Sequence, residues 1–290
     1  RAAARRVGAG ELPDLSTDGV EDDLLRTVDS VSIIGCGSAM HAGLVGRMLI
    51  ESLAGIPVTV DLASEYRYAP PVTVGHTLAV PVSQSGETSD TLQALRLARK
   101  NGLSSLGVIN VVGSAIARES DAVMYTGAGP EIAVATTKGY ASQVTVLAML
   151  AVKLGYLRGR IGAERASELC HSLADVLPAN IAEIISRRPE IAELAKKIYS
   201  HDDLFYIGRG PDCAAAPECS LKLKEISYIH SEAYAAGELK HGTLSLVTEG
   251  TPVIALATDP KYYDKMTGNI REVKSRGGYV ILVAAPDFPS

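Results

Sequence analysis

The sequence predicts an α/β fold with two doubly wound parallel-sheet domains in tandem. Apolar runs typical of buried strands alternate with amphipathic segments typical of helices, which favours parallel sheets covered by helices on both faces. A strand followed by a glycine turn and a helix occurs twice, with the turns at residues 35–38 and 208–210. At 290 residues, the chain is long enough for two domains that each bury a core.

The same pattern divides the chain into segments. Residues 1–30 are rich in glycine, proline and charge, which predicts a linker that ends in a short helix over 20–28. The first domain follows over residues 31–160, connecting helices span 161–201, and the second domain spans 202–290.

Each predicted element of the first domain and the connecting region follows from its periodicity and from the residues at its ends. The first strand runs through residues 31–35 into the glycine turn, and an amphipathic helix follows the turn. The other predicted strands cover residues 57–62, 76–82, 105–110 and 122–126. The other predicted helices cover residues 89–101, 114–119, 137–155, 163–176 and 180–199.

The second domain repeats this plan, because residues 251–285 contain two strands around one helix and parallel residues 76–111. The repeat differs in one loop, since the hydroxyl-rich stretch 83–86 has no counterpart at 258–260. Only the first domain is therefore predicted to bind an anion in this loop. The turn at 35–38 lacks the third glycine of the dinucleotide-binding pattern, so a nicotinamide is disfavoured and no cofactor is expected.

Composition argues against several classes of function. The net charge is −5, with 28 basic residues dispersed among 33 acidic ones, so no nucleic-acid partner is expected. The four cysteines are irregularly spaced, which argues against a disulfide framework or a metal site and favours a reducing, cytoplasmic location. The apolar segment 137–157 is interrupted by Lys138, Gln143 and Lys153, which predicts a buried helix and no membrane span.

A candidate phosphate-binding loop lies between a predicted strand and a predicted helix, where Ser83, Gln84, Ser85 and Thr88 surround Gly86. Hydroxyl and backbone N–H groups converge there on a helix N terminus, an arrangement suited to a phosphate. An ordinary helix cap made by Ser85 is the alternative, and it requires no ligand.

Two further turns carry hydroxyl groups. Ser38 follows the first glycine turn, and Thr136 precedes the long predicted helix. Because the carboxyl ends of parallel strands meet at one edge of a sheet, these turns are predicted to lie near the phosphate loop. Together they favour a ligand site over a simple cap.

Residues 221–242 concentrate titratable side chains, with three lysines, three glutamates and two histidines. Pro217 is predicted to lie in the first turn of a helix that places Lys222 and Glu225 on one face. Such a pair can tune a proton-transfer group, although a surface ion pair is the plainer interpretation. His241 lies beside a glycine on a predicted loop, where a titrating imidazole is useful.

These stretches resemble the isomerase half of the glucosamine-6-phosphate synthases, also called glutamine:fructose-6-phosphate aminotransferases, which consists of two sugar isomerase (SIS) domains in tandem. The resemblance covers nearly the whole chain after residue 30 and is carried by the segments LASEYRY, SQSGETSDTL, EIAVATTK and KLKEISYIHSEAYAAGELKHG. The chain departs from the family at Ser231, where alanine is frequent, and at Thr243, where proline is usual. It also has Ala39 where the glycine turn usually carries a second hydroxyl.

The resemblance implies roles for individual residues. In this family Glu225 would move a proton between two sugar carbons, His241 would assist ring opening and Lys222 would stabilise charge. The residues that would hold the sugar phosphate are Ser83, Gln84, Ser85, Thr88, Thr136 and Ser38. The implied ligands are fructose 6-phosphate and glucosamine 6-phosphate. The histidine reaches the site from the neighbouring subunit in this family, which implies a homodimer with a shared active site.

The family's amidotransferase domain has no match in this sequence, and neither does its C-terminal tail, which carries a lysine that forms a Schiff base with the sugar. We therefore expect an isomerase domain that works with an amidotransferase domain or subunit. Two alternatives remain open at this point. One is a stand-alone SIS phosphosugar isomerase or deglycase, and the other is a sugar-phosphate sensor without catalytic activity.

Overall fold

The computed structural model describes residues 2–289 and divides the chain into two compact units, with the boundary between Ile184 and Ile185. Each unit contains one sheet whose neighbouring strands are all parallel, with helices between successive strands. This confirms the predicted fold class, two doubly wound parallel-sheet domains in tandem.

The first unit contains a five-stranded sheet with the order β2-β1-β3-β4-β5. Its strands are β1 Ser30–Gly35, β2 Val58–Leu62, β3 Thr77–Ser83, β4 Ser104–Ile109 and β5 Ala122–Tyr125. Val31 of β1 pairs with Val58 on one side and with Leu78 on the other, and every residue of β1 and β3 is buried. These strands are nearly continuous apolar runs because helices cover both faces of the sheet.

The helices of the first unit lie close to the predicted ranges. They are α1 Asp22–Arg26, α2 Ser38–Ala54, α3 Ala63–Tyr66, α4 Ser89–Lys100, α5 Ala115–Glu119, α6 Lys138–Leu157 and α7 Ala163–His171. A π-helical turn, Ser172–Val176, joins α7 to α8 (Leu177–Ser186), and α9 (Arg188–Ala195) follows. The single helix predicted over 180–199 is thus two helices, because Pro189 cannot donate a backbone hydrogen bond and therefore suits the first turn of a new helix, which begins at Arg188.

Helix α6 is long and apolar enough to cross a membrane, and no other helix in residues 2–289 meets that test. However, 67% of its most apolar window is buried inside the protein, as in the core helix of a globular domain. Its buried Lys153 donates to the carbonyl of Pro13 at 3.1 Å and pairs with Asp22 at 2.7 Å. The prediction of a buried helix over this segment is confirmed.

The segment before α1, which the sequence assigned to a linker, lies against the first unit. Arg6 is fully buried, and its Nε lies 2.7 Å from a carboxylate oxygen of Asp18. The same guanidinium donates to the carbonyl of Tyr125 at 2.8 Å. Leu15 and Val20 are buried in the main hydrophobic core of this unit.

The second unit contains a four-stranded sheet with the order β7-β6-β8-β9. Its strands are β6 Asp203–Gly208, β7 His230–Ala235, β8 Pro252–Ala257 and β9 Tyr279–Ala284. Its α-helices after β6 are α10 Pro211–Ser227 and α11 Tyr263–Ser275. A 3-10 helix, Ala236–His241, follows β7 directly. The strand order around β6 repeats the order around β1, as the internal repeat predicted.

The prediction that Pro217 lies in the first turn of its helix is wrong. Helix α10 begins at Pro211, directly after Gly210 with φ +56°, and Pro217 lies in its interior. Both prolines suit a first helical position, but only Pro211 follows a residue that turns the chain out of the strand. The helix continues past Pro217, so the predicted spacing of Lys222 and Glu225 on one face is retained.

Candidate functional site

The strand order of the first unit creates a crevice at the carboxyl ends of β1 and β3. From β1 the chain proceeds to β2 on one side, and it then returns to β3 on the other side. Loops that leave neighbouring strands in opposite directions open a crevice, which is where open α/β sheets bind ligands. The turn that contains Ser38 follows β1, and the loop of residues 84–88 follows β3. The sequence-predicted turns therefore leave the two strands that border this crevice.

The loop of residues 83–88, here called the phosphate loop, is held by its own hydroxyl groups. The buried Ser83 Oγ accepts the backbone N–H of Gly86 at 2.9 Å and lies 3.3 Å from Thr88 Oγ1. Ser85 Oγ accepts the N–H of Glu87 at 3.1 Å. These bonds curl the backbone into a tight turn at the start of α4.

Gly86 is required by the shape of this loop. Its φ is +68°, and a Cβ at this position would lie 1.9 Å from Ser114 Oγ. The neighbouring backbone is tied to the start of α5, because Glu87 accepts the N–H of Ala115 at 2.8 Å and the carbonyl of Gly86 accepts the N–H of Ile116 at 2.9 Å. The phosphate loop is therefore fixed before any ligand binds.

Within the described residues, no side chain caps the N terminus of α4. Thr88 occupies the cap position but makes no capping hydrogen bond, and Ser85 bonds to Glu87 instead. The alternative explanation of this loop as an ordinary helix cap by Ser85 is thus not supported. The N–H groups of the first turn carry a partial positive charge and can donate to an anion.

The loop before α6 lies beside the phosphate loop. Glu131 accepts both Thr136 Oγ1 and the N–H of Gly139 at 3.0 Å, which fixes the start of α6. A Cβ on Gly139 would lie 2.4 Å from Thr136 Oγ1 and 3.5 Å from Cγ of Gln84. The fold therefore brings Gln84 and Thr136 to the same place, as the sequence predicted.

The first glycine turn also approaches the start of α4. Cys36 Sγ lies 3.9 Å from Oγ1 of the buried Thr91 in the first turn of that helix. Ser38 is the first residue of α2, directly after Gly37 with φ +55°. The turn that carries Ser38 therefore borders the same crevice.

The corresponding crevice of the second unit contains a carboxylate of the protein itself. Asp212, in the first turn of α10, accepts the N–H of Thr258 at 2.8 Å and Thr258 Oγ1 at 2.6 Å. Asp212 is buried, and Thr258 directly follows β8. A carboxylate of the protein therefore lies against the loop that leaves β8, at the carboxyl ends of β6 and β8.

On α10, Lys222 lies between two carboxylates. Its Nζ is 2.6 Å from Glu225 Oε2 and 3.5 Å from Glu218 Oε1, and the Glu218 side chain is only 5% exposed. Sequence analysis predicted the pair of Lys222 and Glu225 but missed Glu218. The i,i+4 spacing of Glu218 and Lys222 was the available signal. Burial and the negative charge of Glu218 raise the pKa of the neighbouring Cys219 thiol, which keeps it in the unreactive neutral form.

His241 lies on a different element of the second unit from Lys222 and Glu225. It ends the 3-10 helix that follows the carboxyl end of β7. Helix α10 runs the other way, since Asp212 bonds to the end of β8 and Ser220 donates to the carbonyl of Ser231 at the start of β7. Lys222 and Glu225 lie beyond Ser220, about 15 Å and about 20 Å along the helix from Asp212. The histidine and the Lys222–Glu225 pair are thus at opposite edges of the second sheet.

The part of the chain that the structure describes contains no cluster of potential metal ligands. No group of three or more histidine, cysteine, aspartate or glutamate side chains between residues 2 and 289 is arranged to hold a metal ion. The polar groups of the first unit's crevice are hydroxyls, an amide, backbone N–H groups and the carboxylate of Glu131, which accepts from Thr136 and Gly139. The hydroxyls, the amide and the N–H groups suit a phosphate or a sugar.

Comparison with known proteins relates these features to one family. The sequence profile described as "SIS domain" matches residues 24–153 and 197–287. The matches cover both parallel sheets, including the phosphate loop and the segment with Lys222, Glu225 and His241.

Two curated relatives are named glutamine--fructose-6-phosphate aminotransferase [isomerizing]. The protein from Symbiobacterium thermophilum is 54% identical over 97% of this chain, and the protein from Clostridium acetobutylicum is 45% identical over 97%. The chain spans 46% of the length of each relative. A solved structure, the C-terminal domain of glucosamine-fructose-6-phosphate aminotransferase from Francisella tularensis, has a TM-score of 0.94 and 35% identity. The structural match covers 98% of this chain and 79% of the chain in that structure.

Proposed function

Because the chain belongs to the SIS-domain family, we propose that it is the sugar-phosphate isomerase part of a glutamine:fructose-6-phosphate aminotransferase. The observation that carries this proposal is the phosphate loop, where Ser83 and Thr88 lie beside the uncapped N terminus of α4. The names of the similar proteins support the same reaction class. A stand-alone isomerase or deglycase would share the loop, but the relatives at 45–54% identity favour the aminotransferase.

In this proposal the phosphate of fructose 6-phosphate or glucosamine 6-phosphate binds in the phosphate loop. Ser83, Ser85 and Thr88 contribute hydroxyl groups, and the first turn of α4 contributes N–H groups. Gln84 and Thr136 contact the sugar phosphate from the adjacent loop, and Ser38 contacts it from the glycine turn. No positively charged side chain is needed, since the helix N terminus favours negative charge.

The reaction moves a proton between C1 and C2 of the open-chain sugar. Glu225 removes the proton from one carbon and returns it to the other, so its carboxyl group alternates between base and acid. Lys222 lies 2.6 Å from Glu225, where its positive charge stabilises the enolate-like oxygen that develops. His241 donates and accepts a proton during ring opening.

The active site in this proposal is shared between two subunits of a homodimer. The separation of His241 from Lys222 and Glu225 within one chain supports this arrangement, because the three groups must meet one substrate. Ammonia would come from an amidotransferase domain or subunit, as the names of the relatives suggest. The protein would work in the cytoplasm, where its cysteines remain reduced.

Proton exchange tests this function directly. Fructose 6-phosphate is incubated with the protein in deuterium oxide, and loss of the C1 proton signal is followed by NMR. We expect exchange with the unaltered protein and at least about 100-fold slower exchange with Glu225→Gln, since an acid–base group contributes about that factor. Calorimetry should show that Glu225→Gln still binds the sugar. Binding without exchange by the unaltered protein would instead support a sugar-phosphate sensor.

A further inference from the structure

Three arginine side chains line one depression in the first unit, with a volume of about 520 Å³. Arg26 is the last residue of α1, Arg158 directly follows α6, and Arg160 lies in the turn after it. Ala54 and Gly55, at the end of α2, form part of the wall. We call this depression the arginine pocket.

The arginine pocket lies at the opposite edge of the sheet from the phosphate loop. Helix α1 ends at Arg26 shortly before β1 begins at Ser30, and α2 ends at Ala54 shortly before β2 begins at Val58. The helix ends that form the pocket are therefore at the amino ends of the strands. The phosphate loop follows the carboxyl end of β3, so the length of a strand, about 20 Å, separates the two places.

The arginine pocket concentrates positive charge in a chain whose net charge is −5. Between residues 2 and 289, no carboxylate forms an ion pair with Arg26, Arg158 or Arg160. Two acidic groups from the same end of the unit are engaged elsewhere, because Asp22 pairs with Lys153 at 2.7 Å and Asp29 accepts the N–H of His76 at 2.8 Å. Other arginines of this unit have carboxylate partners, for example Arg6 with Asp18, Arg67 with Asp90 and Arg96 with Glu119.

Backbone carbonyls hold two of the guanidinium groups without neutralising them. Arg158 donates to the carbonyl of Val28 at 2.9 Å, and Arg26 donates to the carbonyl of Leu157 at 3.4 Å. Each guanidinium has five N–H donors, so most of its donors are still available to a ligand. The bond from Arg26 to the end of α6 is an ordinary interaction of a cation with a helix C terminus. That interaction accounts for only one of the three charges.

Gly55 leaves room for the third guanidinium. Its φ is +65°, and a Cβ at this position would lie 3.2 Å from Arg160 Nε. The planar group of Arg160 can therefore lie close to the backbone at the end of α2. With Arg26 and Arg158 it provides three charges around one depression.

We propose that the arginine pocket binds a phosphorylated small molecule that carries at least two negative charges. Guanidinium groups match the oxygen geometry of phosphate and bind it through paired N–H donors. Three cationic groups with no carboxylate partner balance a pyrophosphate or two phosphate groups better than a single weak anion. The volume falls within the range of small-molecule sites, about 300–1,000 Å³.

Calorimetric titration with inorganic pyrophosphate tests this proposal. The titration uses the full chain, and it is repeated with a Ser83→Ala/Thr88→Ala variant so that binding at the phosphate loop is identified. We expect one pyrophosphate per chain to bind equally well to both proteins. Arg160→Gln should weaken binding roughly ten-fold, and Arg158→Gln/Arg160→Gln should weaken it further, since each removes charge-assisted hydrogen bonds.

Arg165→Gln is the matched control, because it removes one arginine of the same unit that pairs with Glu168 on α7. We expect it to bind pyrophosphate like the unaltered protein. The Arg160 side chain makes no hydrogen bond within residues 2–289, and its backbone N–H donates to the carbonyl of Gly155, a bond that glutamine keeps, so Arg160→Gln should melt at the unaltered temperature. Absence of pyrophosphate binding would overturn the proposal. Equal weakening by Arg165→Gln, or loss of binding in Ser83→Ala/Thr88→Ala alone, would do the same.

Discussion

At the scale of single residues, Gly86 determines whether the phosphate loop can form. We expect Gly86→Ala to lower the free energy of unfolding by more than about 2 kcal/mol, because it combines an unfavourable φ with a collision against Ser114 Oγ. Gly113→Ala is the control, since Gly113 has φ +72° and no atom within 4 Å of its ideal Cβ. Urea unfolding compares the two variants. Equal losses would mean that the collision with Ser114 is unimportant.

Asp61, on the edge strand β2, provides a prediction about pH. Burial raises the pKa of its carboxyl above the ordinary value of 3.8, and its Oδ2 has no hydrogen-bond partner in the described residues. The raised pKa means that folding favours the protonated form. The stability from this group is therefore present below pH 3.8 and is lost as pH rises through the raised pKa.

Asp61→Asn should consequently be more stable than the unaltered protein at pH 7, and this advantage should shrink as pH approaches 3.5. Thermal unfolding of both proteins across this range measures the difference. Asp14→Asn is a useful comparison, because a backbone hydrogen bond from Ser16 lowers the pKa of Asp14. Asp14→Asn should therefore be less stable than the unaltered protein at neutral pH, the opposite of Asp61→Asn. A less stable Asp61→Asn at pH 7 would contradict this account.

At the scale of elements, Lys222 of α10 forms ion pairs with two carboxylates of the same helix. Lys222→Met removes the ammonium group beside Glu225 and the buried Glu218. We expect it to lower the free energy of unfolding by about 1–3 kcal/mol, because two carboxylates lose their common partner. In a Glu218→Gln background, Lys222→Met should lower the free energy of unfolding by less. Urea unfolding of the unaltered protein, the two single variants and the double variant measures the coupling between Lys222 and Glu218. An equal loss of unfolding free energy in both backgrounds would exclude this coupling.

The strands and helices were largely predictable from the sequence, whereas the exact start of α10 and the burial of individual side chains were less predictable. The strands and α6 were predicted because strands buried on both faces and long core helices have strong apolar periodicity. The start of α10 was predicted wrongly from Pro217, because a proline indicates a helix start only in its local context. Pro211 gave the same signal earlier in the sequence. Glu218 was missed because its burial depends on packing against the sheet, which spacing does not reveal.

The site was predictable to the extent that it depends on strand order. Ser83, Gln84 and Thr136 were expected together because parallel strands bring their carboxyl ends to one edge. The role of Asp212 was not foreseen, since its partner Thr258 is distant in sequence and the contact depends on the second sheet. The arginine pocket was also not foreseen, because Arg26 is more than 130 residues away in the sequence from Arg158 and Arg160.

At the scale of the whole molecule, the proposed homodimer makes a quantitative prediction. His241→Ala and Glu225→Ala should each be inactive in the proton-exchange assay. After the two proteins are unfolded and refolded together, about one quarter of the unaltered activity should return, because half of the dimers are mixed and each mixed dimer has one intact site. Refolding each variant alone is the control. No recovery by a mixture that forms dimers would exclude a shared site.

The two units have the same strand order but differ at the carboxyl ends of their strands. In the first unit the loop after β3 is held by the hydroxyls of Ser83 and Ser85, whereas in the second unit the buried carboxylate of Asp212 binds Thr258 directly after β8. A phosphate near Asp212 would meet a carboxylate of the same charge, and the repulsion would disfavour binding. We therefore propose that the sugar phosphate binds in the first unit alone.

A crystal structure of the chain with fructose 6-phosphate tests this assignment most directly. We predict one phosphate per chain, within hydrogen-bond distance of the Ser83 and Thr88 hydroxyls and the first turn of α4, and no phosphate beside Thr258. A phosphate bound beside Asp212 and Thr258, or a sugar phosphate that makes no contact with residues 83–88, would contradict the account.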